Sequence, residues 1–166
     1  MTDNPLILDT DDPVFLQRAT WFKKQIQIAL NQPFLKFDQI TKIKEMGLYL
    51  IYDKDELLYI GMTTRKGHLR LSELSKSFRT HTFNRKLVEQ HIRGLGHQIG
   101  VLSPKTFKRN LIESELMTME DFKAIQIIVN EKIAKELRFK FYETRLGNLE
   151  AIEHYSIALL YPLYNF

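Results

Sequence analysis

The chain has 166 residues, of which 44% are apolar, and a formal net charge of +4. This length and apolar content suit a single domain, 1–166, with one core, and no stretch approaches the roughly 20 apolar residues that a membrane span needs. The absence of cysteine excludes disulfides and metal binding by sulfur, and the acidic N-terminus lacks the pattern of a secretion signal, so we expect a cytoplasmic protein with no membrane partner.

The first half of the chain is predicted to place helices around a β-hairpin. An N-terminal extension, 1–46, begins with an acidic tail, and its apolar residues then recur at helical spacing over 13–31. Two short apolar runs predict the strands of the hairpin, and a helix with Leu69, Leu71 and Leu74 facing inward follows. We place these strands at 47–52 and 57–61, and the next two helices at 66–77 and 83–92.

The second half adds one strand and two helices. Residues 97–134 read as an insert, and periodic apolar residues predict a helix over 119–135. Charged and aromatic residues alternate at 138–143 as in a half-buried strand, and a last helix over 146–160 stops before Pro162. The predicted fold is therefore of the α/β (α+β) class, with a small three-stranded antiparallel sheet flanked by helices.

Positive charge is concentrated after the hairpin. Between Met62 and Arg93 the sequence holds eight Lys or Arg against two acidic residues, a net charge of +6. Such a cluster suits contact with the phosphates of nucleic acid, although the solvated surface of a helix often carries a similar one. The candidate DNA-binding residues are Arg65, Lys66, Lys76, Arg79, Arg85 and Lys86.

The hairpin resembles a known nuclease signature. Nine residues separate the tripeptide GLY at 47–49 from the tripeptide YIG at 59–61. This pair is similar to the signature of the GIY-YIG nuclease superfamily, whose members cut DNA phosphodiesters with one divalent metal ion. The resemblance implies a core at 47–165 with the insert at 97–134, a DNA partner, and Mg²⁺ or Mn²⁺ as cofactor.

An arginine in the next helix extends the resemblance. Arg70 lies eleven residues past Tyr59, early in the helix that follows the second strand, and has an apolar successor in Leu71. Arg65 is the competing arginine, but it lies in the preceding loop and has no apolar successor.

A glutamate near the C-terminus completes the set. Glu153 lies in the last helix, twelve residues before the asparagine of a Pro-x-x-Asn ending at Pro162 and Asn165, which resembles the family ending. Glu150 is the alternative carboxylate, three residues earlier on nearly the same face, where it could also pair with His154.

The resemblance implies a role for each of these side chains. Glu153 is a hard oxygen ligand of the kind that Mg²⁺ accepts, and Arg70 can bind phosphate oxygens through two N–H groups. Tyr49 is implied as the general base and Tyr59 as the group that positions water or phosphate, although the sequence itself does not separate the two. A phenol with a pKa near ~10 is a poor base at pH 7, so nearby cations are expected to lower it.

Other residues are expected to support this site. Lys66 and His68 are candidate cations beside Tyr49, Gly47 and Gly61 should allow close backbone approach, and Asn165 should act as a structural clamp. The sequence departs from the family pattern at Leu74, four residues past Arg70, where several members of the family carry His or Tyr. His81 could substitute for that residue in space, or could simply cap the second helix. The supporting set is Gly47, Gly61, Lys66, His68, His81 and Asn165.

The register of the hairpin decides whether the two tyrosines can share a site. A two- or four-residue loop centred at Lys54 and Asp55 would pair Tyr49 with Ile60 and place the two rings on opposite faces. An odd loop or a bulge would bring them to one face, and we predict an odd loop.

The sequence therefore favours a metal-dependent DNA endonuclease with a Tyr49, Tyr59, Arg70 and Glu153 site. The alternative is a catalytically inactive module of the same fold that binds nucleic acid, which the leucine at position 74 favours.

Overall fold

A computed structural model describes residues 12–145 and 147–165 of the chain. The predicted acidic tail, apart from Asp12, lies outside the described residues, as does Leu146 in the predicted last helix. The side chain of Asp12 accepts a hydrogen bond of 2.9 Å from the Val14 backbone N–H, and Pro13 follows it as the first helical residue. A capping side chain followed by proline fixes the start of the first helix, where neither an N–H nor a flexible φ is needed.

Four antiparallel strands form one sheet, so the prediction of three strands is wrong by one. The strands are β1 (Leu35–Lys36), β2 (Gly47–Asp53), β3 (Glu56–Thr63) and β4 (Arg138–Glu143), in the spatial order β1-β4-β2-β3. The extra strand pairs with the outer side of β4, through Leu35 opposite Phe139. Two residues are too few for an alternating pattern, so β1 has no sequence signal.

The helices fall close to their predicted positions. They are α1 (Pro13–Leu30), α2 (Gly67–Leu74), α3 (Thr82–Gly94), α4 (Met119–Lys135) and α5 (Leu149–Leu160). A 3₁₀ helix at Phe37–Lys42 and a π-helical turn at Lys108–Ile112 join the longer elements. No helix of the described ranges has both the length and the apolar character to cross a membrane.

Helix α2 differs from its prediction at its end and on one face. It ends at Leu74, three residues before its predicted end. The side chain of Asn84 in α3 donates a hydrogen bond of 2.6 Å to the Leu74 carbonyl, and the side chain of Gln126 in α4 accepts one of 2.9 Å from the Phe78 N–H. These bonds hold the following segment in a non-helical path. Leu69 is 46% exposed instead of facing inward, whereas Leu71 and Leu74 are fully buried.

The sheet separates two layers of helices, which confirms the α/β class. Residues on one face of β2, including Tyr49 and Ile51, join a large apolar cluster with α2, α3 and α4. The alternate residues Leu48 and Leu50 join a smaller cluster with α1 and α5. Because successive strand residues face opposite sides, the near-continuous apolar sequence of β2 matches a strand buried on both faces.

Candidate active site

The two signature tyrosines lie on the same face of the sheet. Tyr49 in β2 is opposite Gly61 in β3, and Ile51 is opposite Tyr59, so the two rings project into one layer with centroids 6.3 Å apart. The loop, however, has only the two residues Lys54 and Asp55, so the predicted odd loop is wrong. The register shifts beyond Ile51, leaving Leu58 as the extra residue of a β-bulge, and this bulge brings the rings together.

The glycines of the signature are required by close packing. A Cβ on Gly61 would lie 2.4 Å from Cζ and Oη of Tyr49, because the tyrosine ring lies over the bare backbone of its cross-strand partner. A Cβ on Gly47 would lie 2.2 Å from the Tyr142 carbonyl oxygen. Gly61 therefore makes the space that the hydroxyl end of Tyr49 occupies.

His81 is the direct partner of Tyr49. Its Nε2 lies 2.9 Å from Tyr49 Oη, and its Nδ1 accepts a hydrogen bond of 3.1 Å from the Phe83 backbone N–H. A ring nitrogen that accepts carries no proton, so the neutral imidazole holds its proton on Nε2 and donates it to Tyr49 Oη. His81 thus caps α3 with one nitrogen and orients the tyrosine hydroxyl with the other.

Burial keeps both partners of this hydrogen bond neutral in the free protein. It lowers the pKa of His81 to about 3, with the charges of Arg70 and Arg85 acting in the same direction. It also raises the pKa of Tyr49 well above its ordinary value, and Tyr59 adds to that rise, whereas Arg70 opposes it. The expectation that cations lower the pKa of Tyr49 is therefore wrong for the free protein, because desolvation outweighs them.

Arg70 projects from the first turns of α2 into an ion-paired cluster. Its Nη1 donates to Glu73 Oε2 at 3.0 Å, and Arg65 donates to both oxygens of the same carboxylate at 2.9 Å. Partial burial would raise the pKa of Glu73, but the hydrogen bonds from both guanidinium groups lower it below its usual range. Arg65 and Arg70, the two candidates for the arginine of the family pattern, therefore both bind the carboxylate of Glu73.

Glu153 reaches the site from the other layer of helices, across the free edge of the sheet. It lies on α5, which packs on β3, and its carboxylate lies near the Met62 backbone N–H. Burial raises the pKa of Glu153 and the charge of Glu150 adds to that rise, whereas His154, the Met62 backbone N–H and Arg70 oppose it. Because β3 is an edge strand, this carboxylate can use a backbone N–H that has no strand partner.

The C-terminal segment occupies the rest of the same edge. The Asn165 side chain accepts from the Ile60 N–H and donates to the Ile60 carbonyl, both at 2.8 Å, and the Tyr164 N–H donates to the Leu58 carbonyl at 2.8 Å. The Tyr164 ring also packs against Phe83 of α3. Asn165 therefore clamps β3 at Ile60, the residue that follows Tyr59.

The four proposed catalytic groups act on one another electrostatically. The charge of Glu153 raises the pKa of both Tyr49 and Tyr59, although burial is the larger cause in each case. The charge of Arg70 lowers the pKa of both tyrosines and of Glu153. These groups come from β2, β3, α2 and α5, and the fold brings them into one region.

Beside this region lies a surface pocket of about 180 Å³, lined by Met62, Thr63, Thr64, Arg65 and Arg70. Of its lining residues, Met62 and Arg70 act on the pKa of Glu153, and Arg70 also acts on the pKa of Tyr49. A pocket with two guanidinium groups in its lining suits a phosphate group.

Some of the predicted supporting residues have other partners. His68 uses Nδ1 to contact the Ile43 carbonyl at 2.9 Å, which ties the start of α2 to the end of the 3₁₀ helix. Lys66 is exposed and is the N-cap residue of α2. Of the three candidate cations, Arg70 is the one that lowers the pKa of Tyr49.

The candidate DNA-binding residues divide into exposed and packed side chains. Arg65, Lys66, Lys76 and Arg79 are exposed. Arg79 also lies over the Phe107 ring at 4.8 Å, while Arg85 is half-buried and donates to the Phe78 carbonyl at 3.2 Å. Lys86 on α3 is half-buried as well. Arg85 therefore helps to shape the segment between α2 and α3.

Sequence reasoning missed three residues that shape the site. Glu73 lies three residues past Arg70, a spacing at which helical side chains of opposite charge meet, so a signal was present. A Cβ on Gly67 would lie 2.2 Å from Ile43 Cγ2, which identifies a close approach that no motif marks. Phe83 packs on Tyr59 with ring centroids 5.3 Å apart, and only the tertiary structure reveals this contact.

The donor set for a metal is small. Within 12–145 and 147–165 no group of three or more His, Asp or Glu side chains is arranged to hold a metal ion. Glu153 is the one acid among the four converging groups. A single carboxylate fits an ion such as Mg²⁺, which keeps several waters and takes further oxygens from a substrate phosphate.

Comparison with known proteins gives no further guide to this site: no family model, no curated protein and no solved structure matches the chain.

Proposed function

We propose that this protein is a metal-dependent DNA endonuclease of the GIY-YIG type, which hydrolyses phosphodiester bonds at Tyr49, Tyr59, Arg70 and Glu153. The observation that carries the proposal is the convergence of these four side chains. They are separated by up to 104 residues in sequence, yet each acts on the pKa of at least one other. The resemblance in sequence spacing and the mutual effects on pKa are separate observations, and both support the proposal.

The residues present fit one divalent cation, Mg²⁺ or Mn²⁺, with Glu153 as its protein ligand. When bound, such an ion would supply a Lewis acid that stabilises charge on a phosphate oxygen. Burial raises the pKa of Glu153 even though His154 and Arg70 oppose the rise, and a bound divalent cation would favour the ionised form further.

Arg70 provides the permanent positive charge for the phosphate. A guanidinium group stays protonated at any pH of interest, and its N–H groups match the spacing of phosphate oxygens. Stabilising the negative charge that develops on those oxygens is the largest contribution that such a side chain can make to the rate.

Tyr49 is the proposed proton acceptor for the attacking water. His81 donates to Tyr49 Oη, and Arg70 lies close enough to lower the pKa, so both groups stabilise the phenolate over the phenol. Burial acts against them in the free protein, so little phenolate is present at pH 7, and the cleavage rate should rise with pH until Tyr49 is ionised. Tyr59, whose ring centroid lies 6.3 Å from that of Tyr49, is the proposed group that positions the water or the phosphate.

The test is nicking of supercoiled plasmid with Mg²⁺ or Mn²⁺. Wild type should convert supercoiled to open-circular or linear DNA, and Glu153→Ala and Arg70→Ala should each lower the rate by at least about 100-fold while DNA is still bound. Glu150→Ala is the matched control, since Glu150 is exposed, lies three residues from Glu153 on the same helix, and should not affect the rate. DNA binding without cleavage by wild type would instead indicate the inactive binding module.

A further inference from the structure

The cluster of Arg65, Arg70 and Glu73 has the features of an anion site filled by the protein itself. One carboxylate takes three hydrogen bonds of 2.9 to 3.0 Å from two guanidinium groups. The side chain of Glu73 is 24% exposed, and that of Arg65 is 53% exposed, so solvent reaches the cluster. An ion pair in such a position is easily exchanged for another anion, because surface pairs contribute little net free energy.

A phosphodiester has the chemistry to replace this carboxylate. Both carry one negative charge on two equivalent oxygens, and guanidinium groups bind both by paired hydrogen bonds. The pocket lined by Met62–Arg65 and Arg70 is formed in part by the same two arginines. A phosphate in that pocket would therefore lie against both guanidinium groups.

We propose that Glu73 is an internal stand-in for a DNA backbone phosphate: it holds Arg65 and Arg70 in position in the free protein and is displaced when a phosphodiester binds to both arginines. This inference rests on the proposed function, since it assigns the phosphate site of the same enzyme. It makes Arg65 a second phosphate ligand beside Arg70, and Glu73 a positioning residue that competes with the substrate.

The experiment measures binding of a short DNA duplex in EDTA, so that cleavage plays no part. Glu73→Gln removes the competing charge and should lower Kd about two- to fivefold, the range of a surface ion pair. It should also steepen the dependence of log K on log salt, because without the carboxylate the two guanidinium groups hold solution anions in the free protein and release them when DNA binds. Glu113→Gln, at an exposed position, makes the same change in net charge and should leave Kd near that of wild type.

Two further measurements keep the outcome decisive. Glu73→Ala removes the carboxylate altogether and should tighten binding in the same direction, whereas a purely structural acid would weaken binding in both variants. Inorganic phosphate is titrated separately while the side-chain N–H resonances of Arg65 and Arg70 are followed. A gain for free phosphate with none for DNA would overturn the assignment to the DNA backbone.

The result that refutes the inference is Glu73→Gln binding DNA no more tightly than Glu113→Gln. This outcome differs from a failure of the proposed function, which would be wild type binding DNA without nicking plasmid in the presence of Mg²⁺ or Mn²⁺. Each can occur without the other, because the binding comparison contains no divalent ion.

Discussion

Gly61→Ala is the substitution that most directly tests how the hairpin places Tyr49. The added Cβ would lie 2.4 Å from Tyr49 Cζ and Oη, about 1 Å inside the 3.4 to 4 Å of ordinary contact. The ring must move by about that distance, which would lengthen its 2.9 Å hydrogen bond to His81 beyond the range of a hydrogen bond. Overpacking of this kind costs roughly 1 to 3 kcal/mol, and loss of the buried hydrogen bond adds about 1 kcal/mol.

The expected total is about 3 kcal/mol, which corresponds to a fall in Tm of roughly 6 to 12 °C for a chain of this size. Displacement of a catalytic group by about 1 Å should also lower the cleavage rate about 100-fold. Thermal unfolding followed by circular dichroism and plasmid nicking measure the two effects. Gly94→Ala is the matched control, because a Cβ there meets nothing within 4 Å. It should leave activity unchanged and Tm unchanged or slightly raised, since alanine is favoured over glycine in a helix. Equal Tm and equal activity for the two variants would refute the packing of Tyr49 over Gly61.

Two further predictions concern the partners of the tyrosines. The pKa of His81 is lowered from 6.5 to about 3 in the folded protein. As the pH falls, the imidazole is therefore protonated in the unfolded chain before it is protonated in the folded one. The contribution of His81 to stability is therefore complete above pH 6.5 and is lost as the pH falls toward 3, on the order of 3 kcal/mol by pH 4. Urea unfolding at pH 7, 5 and 4 should show a shallower pH dependence for His81→Gln than for wild type, and parallel curves would contradict the buried neutral imidazole. Asn165→Ala removes both hydrogen bonds to the Ile60 backbone and should cost about 1 to 2 kcal/mol, with faster hydrogen exchange of the Ile60 amide. An unchanged exchange rate there would show that the clamp does not protect the edge of β3.

Most of the helices and strands could be predicted because their apolar residues repeat with the period of the element. Helix α4 has its predicted bounds, since Thr118 and Asp121 cap its start reciprocally and the buried Phe122, Ile125 and Val129 mark its inner face. The start of α1 was predictable from Asp12 and Pro13 for a similar reason. Local chemistry determines these boundaries, so local sequence is sufficient to find them.

The parts that could not be predicted depend on contacts between distant residues. The end of α2 is set by Asn84 and Gln126, which lie in other helices. The bulge at Leu58 is a shift of register within the hairpin, and the sequence allowed an odd loop as an equal way to reach the same face. Strand β1 forms because β4 offers a free edge to Leu35, and two residues alone carry no pattern.

The candidate site shows the same division between local and distant information. The four spaced residues could be selected from the sequence, but the direction of the Tyr49 pKa could not, because burial depends on the whole layer packed on that face. The partnership of His81 with Tyr49 joins residues 32 positions apart and follows from where α3 begins. The joint attachment of Arg65 and Arg70 to Glu73 likewise needed the path of the loop before α2.

The most direct test of the proposed mechanism is single-turnover cleavage of a labelled DNA duplex by Tyr49→Phe. This change removes one oxygen from the buried ring and leaves the apolar packing in place. Tyr52→Phe is the control, since Tyr52 lies on the same strand but packs into the opposite layer. We predict that Tyr49→Phe cuts at least about 100-fold more slowly than wild type with unchanged DNA affinity, and that Tyr52→Phe cuts at the wild-type rate. Cleavage by Tyr49→Phe at the rate of wild type would contradict the assignment of Tyr49 as the proton acceptor.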